Sequence, residues 1–109
     1  MKSQTKKWLT AAAIGASMLL INMNKAQNVG ISATGVVPSG DAGLDVNFTD
    51  KGVLIPRVSL SNTGTYGLTG GGPTTSMLVY NTNAGITGVG AAGEGYYYWN
   101  GTRWTKLLV

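Results

Sequence analysis

The chain has 109 residues, with 17 glycines, four acidic side chains, and neither cysteine nor histidine. Without those two residue types there is no thiolate nucleophile, imidazole base, disulfide framework or ordinary zinc site. The length allows one small domain. The net charge of +4 is unevenly distributed, because four of the eight basic side chains lie between Met1 and Ala26.

The segment from Met1 to Ala26 has the order of a secretory signal peptide. Three lysines come first, an uncharged apolar stretch follows over residues 8–21, and a short polar segment ends at Ala26. The apolar stretch is shorter than the roughly 20 residues that span a bilayer. We therefore predict an exported protein, at the cell surface or extracellular, cleaved after Ala26 although Asn24 is not the usual small residue. The alternative is an uncleaved helix.

Residues 27–109 carry four basic and four acidic side chains, and so no net charge. Without a basic surface they lack the electrostatic attraction that nucleic-acid binding requires, which excludes that class. All but one of the 17 glycines lie in this segment, and glycine loses more backbone entropy on folding than any other residue. Since a module this small has a marginal core and no disulfide, we expect it to associate with other chains.

The same residues, 27–109, show no helical period and predict a small, glycine-rich all-β module. Short apolar runs separated by glycine, proline and asparagine are typical of strands. The predicted strands cover residues 28–32, 44–48, 53–55, 57–60, 77–80 and 96–99. In the second, Leu44, Val46 and Phe48 alternate with polar residues, which predicts one apolar face.

The run at residues 53–55 is apolar throughout, which predicts a strand covered on both faces. Pro56 ends that strand, so the following residues are expected at a sheet edge. We therefore expect Leu54 and Ile55 in the core, with Val79 and Tyr80 beside them.

The C-terminal residues predict a β-hairpin around Asn100-Gly101, a pair that accepts the positive φ values of a type I′ turn. A two-residue loop places Trp99 opposite Thr102, Tyr98 opposite Arg103 and Tyr97 opposite Trp104. One face then carries Tyr97, Trp99 and Trp104. The other carries Tyr96 and Tyr98, with the Arg103 guanidinium over the Tyr98 ring.

Tyr97, Trp99 and Trp104 are the candidate ligand-binding residues. A row of aromatic rings can stack on sugar rings, which makes a glycan-binding module the alternative function. The same rings are also what a small sheet needs for a core or a contact between chains, and we favour packing. We predict no catalytic residue, no metal and no cofactor, and so no enzyme.

Three weaker patterns have ordinary explanations. Residues 88–93 fit G-x-G-x-x-G, but a strand rather than a helix follows them, so they predict no dinucleotide site. Residues 67–72 and 85–90 share G-[LI]-T-G-x-G, and their alternative interpretation is a β-solenoid repeat. Three aspartates at positions 41, 45 and 50 offer oxygen ligands for calcium, but their spacing fits turn residues better.

Three phrases, in order, carry a resemblance to known proteins: Lys51-Gly-Val-Leu-Ile-Pro-Arg57, Leu78-Val-Tyr-Asn-Thr82 and Gly95-Tyr-Tyr-Tyr-Trp-Asn-Gly-Thr-Arg-Trp104. The chain resembles exported surface modules of Bacteroidetes-type bacteria and is similar to segments of phage tail-fibre-like proteins. The likeness covers nearly all of residues 28–107, and the glycine-rich loops are longer than in that pattern. It implies a structural or adhesive module of a cell-surface or fibre-like assembly. The partner it implies is a second and third copy, in a homo-oligomer with a trimer favoured.

Overall fold

The structure, a computed structural model, describes residues 28–108, so the predicted leader lies outside the described residues. The described part is all-β, which confirms the predicted fold class, and none of its segments forms a helix able to cross a membrane. The chain divides after Lys51 into two compact units, which we call unit 1 and unit 2. The predicted module, residues 27–109, includes residues of both.

Unit 1 contains a parallel pair of strands, β1 (Val29–Ser32) and β2 (Leu44–Asn47). Both lie within segments predicted as strands, residues 28–32 and 44–48. The residues between them cross from the end of β1 to the start of β2, and Val29 N–H donates to the Gly43 carbonyl at 2.8 Å. A parallel pair requires such a crossover, because a tight turn can join only antiparallel strands.

Unit 2 contains a four-stranded sheet built from short strands. The strands are β3 (Arg57–Val58), β4 (Leu78–Asn81), β5 (Gly95–Trp99) and β6 (Trp104–Lys106). They lie in the order β3-β4-β5-β6, with β3 parallel to β4 and the other pairs antiparallel. The segment after Pro56 is thus an edge strand, as its proline predicts.

Two long loops cover one face of this sheet, which we call the inner face. The loops follow β3 and β4, and a parallel bridge between Asn62 and Thr87 joins them. The buried apolar residues of unit 2 come from the sheet and from both loops: Leu60, Val79, Ile86, Tyr97, Trp99 and Trp104. The inner face is therefore the core, and it depends on loop residues as much as on strands.

The hairpin forms as predicted, but its register differs by two residues. Trp99 pairs with Trp104 rather than with Thr102, so the loop has four residues. The Asn100 side-chain oxygen accepts the backbone N–H groups of Thr102 and Arg103, each at 2.9 Å. Only the glycine of Asn100-Gly101 has a positive φ, which excludes the type I′ turn. Asparagine here closes the turn with its side chain instead.

This shift by two residues preserves the faces of the hairpin, because side chains alternate with period two. Tyr97, Trp99 and Trp104 share the inner face, as predicted. Arg103 lies in the loop instead of opposite Tyr98, whose partner is Thr105. The predicted placement of the guanidinium over the Tyr98 ring is therefore wrong.

The prediction that Leu54 lies in the core is wrong, and Ile55 is only half-buried. Leu54 is 82% exposed, and residues 53–55 form no strand. The ladder with β4 begins at Pro56, whose carbonyl accepts Tyr80 N–H at 3.0 Å. The two residues expected beside the core differ: Val79 is buried, whereas Tyr80 is half-buried on the opposite face.

The two G-[LI]-T-G-x-G segments lie in different loops, one before β4 and one before β5. The sheet of unit 2 is a single open layer with mixed strand directions, not the stacked parallel coils of the solenoid alternative. Among the aspartates considered for calcium, Asp45 lies in strand β2 rather than in a turn, and its carboxylate accepts Ser39 N–H at 2.8 Å.

Candidate functional site

Three aromatic rings form a cluster at the centre of unit 2. Tyr66 lies parallel to Trp104, with ring centroids 5.5 Å apart, and meets Trp99 edge-on at 5.2 Å. The two tryptophans also meet edge-on, at 5.5 Å. These are the offset and T-shaped arrangements that aromatic rings prefer. The loop after β3 is thus held on the sheet by its single tyrosine.

The indole N–H groups of the two tryptophans have different surroundings. Trp104 Nε1 donates to the backbone carbonyls of Thr65 and Tyr66, both at 3.0 Å. Trp99 Nε1 is buried and has no hydrogen-bond partner among residues 28–108. Trp104 therefore fastens the loop by hydrogen bonds as well as by ring contacts.

The three candidate ligand-binding residues lie in the core of unit 2. Tyr97 is 0%, Trp99 4% and Trp104 1% exposed. The Tyr97 hydroxyl donates to the Gly93 carbonyl at 2.8 Å and accepts Ala92 N–H at 3.1 Å. Ligand binding by these residues stays a prediction, and it requires the loops above them to open before a sugar ring can reach them.

Asn81 is a buried polar side chain whose hydrogen bonds join three segments. It is 0% exposed. Its oxygen accepts Leu60 N–H and Asn83 N–H, each at 3.0 Å. Its amide nitrogen donates to the carbonyls of Asn83 and Gly93, at 2.9 and 3.0 Å. All four hydrogen-bonding positions of the amide are used, so the end of β4 is tied to both covering loops.

Gly88 lies against the buried side chain of Thr63, where the two covering loops meet. Thr63 Oγ donates to the Val89 carbonyl at 2.9 Å. A Cβ at Gly88 would collide with that hydroxyl, and the φ of +100° disfavours other residues. Gly90 also has a positive φ, of +73°, but has open space around it.

Gly88→Ala is therefore expected to lower the free energy of unfolding by about 1–3 kcal/mol more than Gly90→Ala. Both variants bear a backbone cost for a side chain at positive φ, and the Gly88 variant also bears the collision of its Cβ with Thr63 and with Asn62 Oδ1. Thermal unfolding followed by circular dichroism, at equal protein concentration, measures the difference. Equal destabilisation would show that the loops do not meet in this way.

The other side of the sheet in unit 2, which we call the outer face, also carries large side chains. The register places Leu78, Tyr80, Tyr96 and Tyr98 on it. Tyr80 and Tyr96 meet edge-on, with centroids 5.0 Å apart. A shallow groove of about 160 Å³ runs past these two rings and is also lined by Leu54, Ile55 and Arg57. This face remains partly exposed while the inner face is covered.

The strand pair of unit 1 has one polar and one apolar face. In the parallel register, Val29 pairs with Leu44 and Ile31 with Val46. Since paired residues point to the same side, these four side chains share one face, which we call the strand-pair face. Val29, Ile31 and Leu44 are 53%, 49% and 58% exposed.

Several residues that build these surfaces have no clear signal in the sequence. Tyr66 lies in a polar, glycine-rich segment, and its only sign is that it is the one aromatic residue there. Asn81 begins the run Asn-Thr-Asn-Ala-Gly, which predicts a turn rather than a buried side chain. Thr63 is likewise typical of a loop, yet it is buried.

Comparison with known protein families gives a match to nearly the whole chain. The family model described as "Phage tail like trimerisation region" matches residues 16–108. No curated protein and no solved structure matches the chain.

Proposed function

The chain belongs to the phage tail-like trimerisation region family, and from that premise we propose that it is a structural module that forms a homotrimer in a fibre-like assembly. The match over residues 16–108 carries this proposal, because it spans both units. The tail-fibre-like phrases of the sequence agree with the family.

The exposed apolar side chains support association. Both units place large apolar residues on uncovered faces: Val29, Ile31 and Leu44 in unit 1, and Leu78 and Tyr96 in unit 2. Contiguous exposed apolar surface of this kind is typical of protein–protein contacts. Residues 27–109 have no net charge, so identical copies do not repel one another over long range.

We further propose that the module is exported and non-enzymatic and acts at the cell surface or outside the cell, where it contributes to structure or adhesion. Export is supported by the basic and apolar order of residues 1–26. A structural role is supported by the family and by a chain without histidine or cysteine.

Expression of the full-length chain in a secreting bacterial host tests both proposals. The exported product is expected to begin between residues 27 and 29 by mass spectrometry, and to have three times the mass of one chain by sedimentation equilibrium. A native mass of one chain would overturn the trimer. An uncleaved product retained in the cytoplasm would overturn export. The native mass of that product would still decide whether the chain forms a trimer.

A further inference from the structure

The crossover of unit 1 already covers the polar face of the strand pair. That face carries Gly30, Ser32, Asp45 and Asn47. A Cβ on Gly30 would lie 2.7 Å from the Pro38 ring, so the crossover lies directly over this side. Ser39 N–H donates to the Asp45 carboxylate at 2.8 Å, and Asn28 donates to the Ser39 carbonyl at 3.0 Å. The crossover is therefore fixed on the polar side.

Among the described residues of unit 1, 28–51, none covers the strand-pair face. Val29, Ile31 and Leu44 are each about half exposed. Two strands with one side open to water are not independently stable, and parallel pairs in particular are found with both faces covered. Another apolar surface is therefore expected to pack against this face.

Three observations indicate that the strand-pair face is covered by the same face of another copy of the chain. The trimerisation family match includes both strands, so each subunit of the proposed trimer brings one such face. None of its four side chains is charged, which matters because a symmetric contact places identical groups near one another. The outer face of unit 2, by contrast, is bordered by Arg57 in its groove.

We propose that the strand-pair faces of three chains pack against one another around the axis of the trimer, with Val29, Ile31, Leu44 and Val46 forming a core shared between subunits. This inference rests on the proposed function and names the surface through which it acts. The polar face with its crossover then lies on the outside of the assembly.

Lysine substitutions on the two faces of the same strand pair test the proposal in the full-length chain. Ile31→Lys buries three charges in the shared core, and is expected to raise the concentration at which the trimer dissociates by at least about a hundredfold. Asn47→Lys adds the same charge to the polar face, and is expected to leave that concentration unchanged. Sedimentation velocity over a dilution series measures both.

Amide hydrogen exchange across β1 and β2 reports whether unit 1 of each variant remains folded, and the near-ultraviolet dichroism of the packed Trp99 and Trp104 reports the same for unit 2. A folded, dissociated Ile31→Lys variant supports the proposal. A trimeric Ile31→Lys variant, or equal dissociation of both variants, overturns it while the proposed function stands. A wild-type chain that sediments as a monomer overturns the proposed function itself.

Cysteine substitutions keep the proposal testable if Ile31→Lys fails to fold. The chain has no cysteine, so Ile31→Cys and Asn47→Cys each introduce a unique thiol. A short bis-maleimide is expected to link chains through position 31 and not through position 47. A native trimer that gives no linked chains at position 31 would overturn the proposal.

Discussion

Replacing Trp104 with alanine is expected to lower the free energy of unfolding of unit 2 by roughly 3–5 kcal/mol, the range for deleting a buried tryptophan. Trp104 is 1% exposed and contacts both Tyr66 and Trp99. Removing it leaves a cavity and two backbone carbonyls without their donor. Since small domains have total stabilities of about 5–15 kcal/mol, this loss is a large fraction of the total.

A matched pair of phenylalanine substitutions separates the hydrogen bonds from the packing. Trp99→Phe and Trp104→Phe remove the same atoms from neighbouring buried rings, but only Trp104 Nε1 has acceptors, the carbonyls of Thr65 and Tyr66. We expect Trp104→Phe to destabilise the protein by about 1–3 kcal/mol more than Trp99→Phe. Chemical denaturation at one fixed concentration measures the difference, and equal losses would contradict the assigned role of the indole N–H.

The strands could be predicted from the sequence because their signals are local. Alternation in residues 44–48 and the aromatic run at 96–99 require no knowledge of their partners, and both segments form strands. Pro56 likewise shows from its missing N–H that the residues after it lie at an edge. The resemblance to tail-fibre-like proteins, also read from local phrases, agrees with the family whose model matches residues 16–108.

The pairings and the depth of burial could not be predicted, because distant groups decide them. Asn100-Gly101 is typical of a two-residue turn, but a four-residue loop places Trp104 directly opposite Trp99. The apolar run containing Leu54 predicts a buried strand, yet nothing in unit 2 covers Leu54.

The candidate site was predictable in part. The chemistry of Tyr97, Trp99 and Trp104 indicates either packing or stacking on a sugar, and residue type alone does not choose between them. Their burial depends on loops whose sequence is polar and glycine-rich, in which Tyr66 is the one aromatic residue and Leu60 and Ile86 are scattered apolar residues. The strand-pair face required the parallel register, because only the pairing of Val29 with Leu44 shows that both strands present apolar residues on the same side.

Replacing Asn81 with leucine is expected to lower the free energy of unfolding by roughly 3–5 kcal/mol, about as much as the loss of Trp104. Leucine has a similar volume but can make none of the four hydrogen bonds of the Asn81 amide. Each buried backbone group left without a partner costs about 1–3 kcal/mol, and the N–H groups of Leu60 and Asn83, which lose their acceptor, belong to different covering loops. Both loops are then released from β4.

Two further variants, Asn81→Asp and Asn62→Leu, are compared with Asn81→Leu. Aspartate keeps the two acceptor interactions but turns a negative oxygen toward the carbonyls of Asn83 and Gly93, so we expect it to be destabilising as well. Asn62 also makes two side-chain hydrogen bonds, at 3.0 and 2.7 Å, but it is half-buried. Because water can replace these bonds, Asn62→Leu is expected to cost less than about 1 kcal/mol.

Amide hydrogen exchange shows which part of unit 2 is affected by the loss of the Asn81 side chain. In Asn81→Leu, protection should be lost at Leu60 N–H and across both loops before it is lost in the β5–β6 pair. Uniform loss of protection throughout unit 2 would show that Asn81 supports the whole sheet and not the loops alone.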